Sequence, residues 1–540
     1  MRLLEKPQAL VTRSQRWTLI AAILGSGIVF LDSTVVNVAL PKIGKELPST
    51  LFGVLEGQSY VYNGYLLTVS ALLILAGALN DFYGRKRMFI FGLVGFLATS
   101  LLCGLAPNLE LLVLFRILQG VAGALLVPGS LALLTVTFSG EAQGRAFGLW
   151  AAASAGTTIL GPFVGGILVD SISWRAAFLI NVPLLLIAIW ATATFVKESR
   201  AEGATGRFDW LGALVVALAV GGLSFGAIYG QQREWKDPIG FVMLGVGAIA
   251  TIALPFLMTR RSDPLIPPEL FRSRNFTVTN ISTFLIYGAL YVLSYFTALF
   301  VQGTIGFTAA AAGLAFIPGA LFLVFLSSRF GAMAGKYGPK AFMAIGPAVM
   351  CLGTLWYLRV PATTRPWLFT FGDPSTYVPP ASWFVDFLPA TLLFGLGVSM
   401  MVAPLTTALM TSVPAKNSGV ASAINNAISR VGPQLAGAVI FIAITMSFYS
   451  GLHARVPTVN VDDPAFRKDV APLNVRPPSG GLGGQSVDAV LAAEREASTE
   501  AFHLAMFISA VLLAAGAAVN ALGIENRPAP QAAEAERAAA

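Results

Sequence analysis

The sequence predicts an all-α, polytopic membrane protein, and its composition and apolar runs support this. Of the 540 residues, 56% are hydrophobic and only 11% are charged, and the mean hydropathy is +0.73. A water-soluble domain cannot cover so much apolar surface, whereas a bilayer accepts it. The net charge of +8 does not indicate a nucleic-acid partner, because Lys and Arg lie in short loops beside the apolar runs. There they set topology and contact anionic lipid, so we expect membrane lipid to be a partner.

Each apolar run is long enough to cross the hydrocarbon core as a helix. After a short cytoplasmic segment at residues 1–16, an N-terminal bundle is predicted at residues 17–196. Its six runs lie at 17–38, 60–79, 88–106, 109–133, 146–169 and 176–196. The next segment, residues 197–275, is predicted to be a linker that contains two extra transmembrane helices, at 210–230 and 239–258.

A C-terminal bundle of six runs is predicted at residues 276–523, followed by a cytoplasmic tail at 524–540. Its runs lie at 276–301, 309–330, 341–360, 384–412, 420–449 and 502–522. The total is roughly fourteen helices of the length that a bilayer demands. An even number places both termini on one side, and basic residues in alternate short loops make that side the cytoplasm. The long polar loop 450–499 is then external, and its centre is predicted to be a disordered spacer.

The turn between the second and third runs, residues 77–87, anchors this topology. Its basic cluster at 85–87 lies between two long apolar runs, which places the turn in the cytoplasm. Gly77 and Gly84 permit close helix approach and a tight turn, and Asp81 lies among cations near a helix end. We therefore predict a conformational latch made of Gly77, Asp81, Gly84 and Arg85.

Two charged residues fall inside the apolar runs, where charges are costly and mark functional sites. Asp32 lies in the first run, where apolar surroundings disfavour its charged form and a nearby cation such as Arg116 favours it. A carboxylate held between these effects can change protonation at working pH, so Asp32 is the predicted proton carrier. The alternative is a residue that caps or pairs near the outer interface. Arg116, one turn from Gln119, is either a structural polar knot or a charge that tunes a nearby carboxylate.

The fifth run contains small residues together with a proline. Small residues allow helices to approach closely, and proline removes a backbone hydrogen bond and bends a helix. We therefore predict a gating helix that depends on Gly156, Gly161, Pro162, Gly165 and Gly166.

Further residues inside the runs are candidates for the wall of a substrate cavity. Three tyrosines at i, i+4 and i+8 form an aromatic stripe, which is either packing or a wet cavity wall. Methionine offers adaptable apolar surface but is also ordinary filler. Arg430, in the second half, has the amides of Asn425 and Asn426 beside it and no obvious carboxylate partner. The candidates are Asn37, Gln119, Tyr287, Tyr291, Tyr295, Met401, Asn425, Asn426 and Arg430.

Motifs that mark several kinds of catalytic or ATP-driven chemistry do not occur in the sequence. The chain contains no GxxxxGK[ST] loop, which argues against an ATP-driven pump, and no HExxH or GxSxG motif. The two cysteines, Cys103 and Cys351, lie inside apolar runs and indicate neither a disulfide framework nor a metal site. No cofactor, metal or catalytic residue is therefore expected. The free energy for transport must therefore come from an ion gradient or from the gradient of the substrate itself.

Five segments occur in order along the chain, at residues 31–41, 77–87, 116–120, 156–166 and 174–183. The last of them contains Trp174, Arg175, Phe178, Asn181 and Pro183. Together these segments resemble the motifs of the fourteen-helix drug:proton antiporter branch of the major facilitator superfamily. The resemblance implies two six-helix bundles around a central cavity, two extra central helices between them, and alternating access. It also implies export of amphipathic or cationic compounds against proton entry.

We therefore expect a proton-coupled exporter of amphipathic or cationic small molecules in a plasma membrane of the bacterial inner-membrane type. The second half has few deep carboxylates, with Asp386 only at the edge of a run, so lipid-like or hydrophobic substrates stay open. A nutrient importer or uniporter is a further alternative, against which the Gly161-Pro162 motif argues. The last alternative is a protein that keeps the fold but does not transport, and that binds lipid or acts as a sensor.

Overall fold

The structure is a computed structural model of the chain. It describes residues 12–50, 54–200, 208–232, 235, 237–261, 263–370, 372–463, 466–467, 470–475, 477 and 484–526. The first eleven residues and the tail from 527 onward lie outside the described residues, as do parts of the predicted linker and external loop. The described residues form long helices joined by loops and short helical turns.

Fourteen long helices follow one another along the chain, and we number them α1 to α14. They are α1 Arg13–Glu46, α2 Val54–Tyr83, α3 Arg85–Gly104, α4 Leu109–Thr137, α5 Gly140–Ser171, α6 Asn181–Phe195, α7 Trp210–Gln232, α8 Pro238–Arg260, α9 Arg274–Leu299, α10 Ala309–Tyr337, α11 Lys340–Trp356, α12 Leu388–Thr411, α13 Ser418–Arg455 and α14 Val487–Gly523. Short helices lie at Ala176–Leu179, Glu269–Arg272 and Ala381–Asp386, and α9 continues as a π-helix over Phe300–Ile305.

Thirteen helices in the described part of the chain are long and apolar enough to cross a membrane. The remaining long helix, α5, has 32 residues and packs against α1 on one side and α10 on the other. Some of its side chains, including Pro162, lie outside the described residues. The polytopic, all-α character that the composition predicts is therefore present in the structure.

The long helices form two halves with a matching arrangement. Helices α1 to α6 pack together in the first half, and α9 to α14 pack together in the second. The two halves meet through α5 against α10 and through α2 against α13, which are equivalent positions in the two halves. The extra helices α7 and α8 pair with each other, and α7 lies against α2 and α13.

The closest contacts between the halves lie at one end of the bundle, which we call the inner end because it contains the α2–α3 turn at Gly84. A β-carbon at Gly144 on α5 would overlap the carbonyl oxygen of Gly331 on α10. Gly77 on α2 lies equally close to Gly419 on α13. The missing side chains allow the backbones to touch, as in other close helix pairs in membranes. The two halves are thus closed against each other at the inner end.

Several helix boundaries differ from the sequence prediction. The helix α1 extends beyond the apolar run 17–38 at both ends, because the residues that flank the run are also helical. The sixth run is broken at Ile180, between the short helix Ala176–Leu179 and α6. This break makes Asn181 the first residue of α6.

The external loop is shorter than the predicted 450–499. Helix α13 continues to Arg455 and α14 already begins at Val487, in one helix with the last apolar run. Arg455 ties the two extensions together, since it donates to Glu496 at 2.9 Å and also bonds to Glu500. The loop also carries apolar anchors, because Val470 and Leu473 are buried in the core of the second half. Its described part is therefore packed and is not the polar spacer that we predicted.

A leucine at Gly144 has no room beside Gly331, so Gly144→Leu should separate the halves at the inner end. Spin labels at Ala142 on α5 and Lys336 on α10 should then report a longer distance than in the unsubstituted chain. Gly313→Leu, on α10, is the matched control, because a β-carbon at Gly313 meets nothing within 4 Å. An unchanged distance distribution in Gly144→Leu would show that this contact does not hold the inner end closed.

Candidate functional site

The charged residues predicted in the first and fourth runs form one buried ion pair. Arg116 on α4 donates from Nη1 to Oδ2 of Asp32 on α1, and both side chains are 0% exposed. An unpaired charge at this depth would be costly, whereas a hydrogen-bonded pair is tolerated. The pair therefore ties α1 to α4 inside the first half.

Two amides complete the hydrogen bonding of Asp32. Gln119 Nε2 and Asn181 Nδ2 both donate to Asp32 Oδ1, at 3.2 and 3.0 Å. Gln119 also accepts from Arg116 at 2.7 Å and donates to Ser100 on α3 at 2.9 Å. Asn181 is the first residue of α6, and its amide adds that helix to the network. Four helices, α1, α3, α4 and α6, thus meet around Asp32.

Tyr65 on α2 lies between this pair and the space that separates the halves. The guanidinium carbon of Arg116 is 4.1 Å from the centre of the Tyr65 ring, which is a cation–π contact. The Tyr65 hydroxyl donates to the carbonyl oxygen of Val29 at 3.1 Å and fixes the ring against α1. Tyr65 also lines the central cavity. One aromatic ring therefore lies between the ion pair and the cavity.

The central cavity has a volume of about 360 Å³ and is lined by both halves. Helices α1, α2, α4 and α5 form one wall, and α9, α10, α12 and α13 form the other. On each of the four interface helices, the lining residues lie on the outer side of the inner-end contacts. The polar residues of the described lining are Ser33, Tyr65, Trp150, Ser154, Tyr287, Thr406, Asn425, Asn426, Ser429 and Arg430.

The structure brings four of the predicted cavity residues into this lining. They are Tyr287 on α9 and Asn425, Asn426 and Arg430 on α13. Asn425 Nδ2 donates to Asn280 Oδ1 at 3.1 Å and to Thr283 Oγ1 at 2.8 Å, so its amide joins α13 to α9.

The other predicted cavity residues lie elsewhere. Gln119 is fully buried beside Asp32, and Met401 is fully buried against Gly346 on α11, where it acts as core filler. Asn37 is exposed on α1 and is not among the lining residues. Tyr291 and Tyr295 stack on each other with ring centres 5.8 Å apart and are 41% and 40% exposed. The tyrosine stripe therefore contributes only Tyr287 to the described cavity wall.

The residues of the predicted latch come together at the inner end. Arg85 Nε and Nη2 donate to Asp81 Oδ1 at 3.0 and 2.8 Å, and the two side chains are almost fully buried. The backbone N–H of Val420 donates to Asp81 Oδ2 at 3.0 Å. Asp81 therefore links α2 of the first half to the first turn of α13 in the second half. Gly84 has φ of 109°, a left-handed value that favours glycine in this turn.

The small residues of α5 differ in what they contact. A β-carbon at Gly161 would overlap Thr34 on α1, and one at Gly165 would lie 3.1 Å from the Cα of Val35. A β-carbon at Gly156 or Gly166 would meet nothing within 4 Å. Close approach of α5 to α1 therefore involves Gly161 and Gly165, and the predicted packing role of Gly156 and Gly166 is absent from this conformation.

Three residues of these networks were not predicted from the sequence. Tyr65 carried a weak signal, as one of three tyrosines at positions 60, 62 and 65 near the start of an apolar run. Ser100 is an ordinary serine in an apolar run and carried none. Glu198 accepts from the backbone N–H groups of Lys86 and Arg87 at 3.1 and 3.0 Å and so caps α3. It lies more than 100 residues from its partners in sequence, which hides the contact.

A bundle of two matching helical halves, with a cavity between them and an ion pair buried beside it, is the architecture of a membrane transporter. The particular family follows from sequence comparison. The profile of the Major Facilitator Superfamily matches residues 22–437, and the chain belongs to this family. The predicted superfamily and fold are thereby confirmed, and the chain is a multi-pass transporter of the plasma membrane and not an enzyme.

Named relatives and a solved structure agree with this assignment. The chain is 32% identical over 480 residues to multidrug resistance protein Stp of Mycobacterium tuberculosis, covering 87% of this chain and 84% of Stp. It is 29% identical over 517 residues to the tetracenomycin C resistance and export protein of Streptomyces glaucescens, covering 94% and 91% of the two chains. The proton:xylose symporter XylE shares the fold at a TM-score of 0.55 and 14% identity, covering 92% and 94%.

Gly161→Leu should block the approach of α5 to α1 and slow transport by about tenfold or more. Gly166→Leu is the matched control on the same helix, because its side chain enters open space. Flux per molecule of membrane-inserted protein is the measurement. Equal flux in the two variants would show that the α1–α5 contact at Gly161 has no part in the transport cycle.

Asp81→Asn should weaken the inner-end latch, because the amide leaves Arg85 without its buried counterion. Spin labels at Arg87 and Lys416, in opposite halves, should show a larger fraction of long distances. Asp488→Asn changes an exposed carboxylate at the start of α14 and should leave the distances unchanged. A wild-type distance distribution together with wild-type flux in Asp81→Asn would refute the latch.

Proposed function

We propose that this chain exports amphipathic small molecules from the cell in exchange for protons, by alternating access of the central cavity. The observation that carries the proposal is the buried Asp32–Arg116 pair, one aromatic ring away from that cavity. Membership of the superfamily and the resistance and export named for two relatives support it.

The proton acts at the carboxylate of Asp32. In the ionised form, Asp32 accepts from Arg116, Gln119 and Asn181 and holds α1, α4 and α6 together. Protonation removes the charge that Arg116 neutralises, so the Arg116 bond is no longer an ion pair and the two amide bonds lose their charge assistance. Arg116 keeps the carbonyl of Val61, the amide oxygen of Gln119 and the face of Tyr65 as partners. The charged arginine can therefore stay in place while α1 is released.

A shift of α1 has a direct route to the contact between the halves. Thr34 and Val35, two and three residues after Asp32, pack on Gly161 and Gly165 of α5. The inner part of α5 carries Gly144, which touches α10 of the other half. The protonation state of Asp32 can thus bias the inner-end closure through one rigid helix. Because Tyr65 contacts both Arg116 and the cavity, a bound substrate acts on the same elements.

Asp32→Asn should abolish accumulation of substrate driven by a pH gradient in everted vesicles, with tetracenomycin C as the first probe. The amide keeps the shape of the side chain but cannot titrate, so exchange of labelled for unlabelled probe without a gradient should continue. Asp32→Glu should retain part of the gradient-driven activity with a shifted pH optimum.

Asp81→Asn is the matched control for this test, because it changes a second buried aspartate of the same half. It should slow gradient-driven uptake and exchange together, since it acts on conformation. Wild-type accumulation by Asp32→Asn under an imposed pH gradient would show that another group carries the proton.

A further inference from the structure

The charge on the wall of the central cavity is positive. Arg430 is the one charged side chain among the described residues that line it. The two buried aspartates described in the first half already have partners: Asp32 pairs with Arg116, and Asp81 pairs with Arg85 and accepts from the N–H of Val420. Within the described part of the chain, no carboxylate lies within ion-pair distance of Arg430. The cavity therefore presents a cation that the described protein does not neutralise.

Hydrogen-bond donors in the lining are engaged almost throughout. The hydroxyls of Ser33, Ser154, Thr406 and Ser429 donate to backbone carbonyls of their own helices at 2.7 to 3.1 Å. Tyr65 donates to Val29, Trp150 to Ser130, and the side-chain amides of Asn425 and Asn426 donate to protein oxygens.

Two of the polar lining residues make no hydrogen bond to the described protein, namely Arg430 and Tyr287. They lie on α13 and α9, which pack closely together where Gly432 approaches the backbone of Phe284. A guanidinium and a phenol, both directed at the same cavity, are donors suited to an anionic oxygen. Arg430 is half-buried inside the membrane-spanning bundle, where a cation without a counterion is costly, so a ligand that supplies the negative charge offsets that cost.

We propose that the cavity selects amphipathic molecules that carry an acidic group, held by Arg430 and Tyr287, while the apolar lining receives the rest of the molecule. This inference rests on the proposed function and narrows its substrate class. It runs against the sequence expectation of cationic compounds, because a cation in this cavity would meet Arg430 and no described counterion. The shared chemistry of the ligand is an anionic head on an apolar body, and we assign it to a soluble molecule and not to a lipid.

Equilibrium binding to the full chain in nanodiscs of zwitterionic lipid tests this without a proton gradient. Three probes with one apolar body are compared by calorimetry, with empty discs as the blank: naphthylbutanoate, naphthylbutanol and naphthylbutyl-trimethylammonium. The carboxylate should bind roughly tenfold or more tightly than the alcohol, the scale of one charge-assisted hydrogen bond, and the ammonium should bind most weakly. Equal binding of all three, or preference for the ammonium, would overturn the proposal.

Substitutions identify the residues that cause the preference for the carboxylate probe. Arg430→Gln should abolish the discrimination between carboxylate and alcohol, and Arg430→Lys should keep part of it, because lysine supplies the charge without the forked donors. Tyr287→Phe should weaken carboxylate binding several-fold and leave alcohol binding unchanged. Arg145→Gln, which removes an exposed arginine on α5, is the matched control and should preserve the wild-type preference. An undiminished preference in Arg430→Gln would refute the assignment, and if that variant does not fold, an undiminished carboxylate affinity in Tyr287→Phe does so.

Two further arms separate the possible failures. Absence of proton-driven transport in the wild type would contradict the proposed function while leaving the binding preference intact. Loss of carboxylate binding when phosphatidylglycerol is added to the discs would overturn the soluble-ligand assignment in favour of a lipid headgroup.

Discussion

The buried pair of Asp32 and Arg116 is the constraint around which the first half is arranged. A carboxylate inside a membrane-spanning bundle is costly without a counterion, so ionised Asp32 must keep Arg116 within hydrogen-bond distance. That requirement fixes α1 against α4 and brings in the amides of Gln119 and Asn181. Asn181, the first residue of α6, reaches the carboxylate with its amide and so joins a third helix to the pair.

The two halves share an arrangement but not their charges. The turn at Gly338 between α10 and α11 repeats the turn at Gly84, with φ of 89° against 109°. In the second half, Gly335 occupies the place that Asp81 has in the first, so that position supplies no carboxylate. The α2–α13 contact combines glycine packing with the hydrogen bond from Val420 to Asp81, whereas the described α5–α10 contact depends on glycine packing. The two sides of the closure should therefore respond differently to changes in charge and in side-chain volume.

The fold was predictable to a large extent because lipid imposes long apolar runs and a basic turn, both of which are visible in sequence. Asp32 and Arg116 were recognisable for the same reason, as charges inside apolar runs. The prediction was weaker where it needed to know which face of a helix points inward. Met401 and Tyr287 are both plausible cavity residues by type, yet Met401 faces α11 and Tyr287 faces the cavity. Contacts between distant segments, such as Glu198 with the start of α3, leave no local pattern at all.

The unneutralised Arg430 has a consequence for the energetics of export. If the departing molecule is an anion and one proton enters in exchange, two positive charges move inward in each cycle. The membrane potential, negative inside, then drives the exchange together with the pH difference, and it supplies about 2.3 kcal/mol for each charge and each 100 mV. Export of a neutral molecule would move one charge, and export of a monovalent cation would move none. A single arginine in the cavity wall would thus decide how much of the electrical part of the proton-motive force this transporter uses.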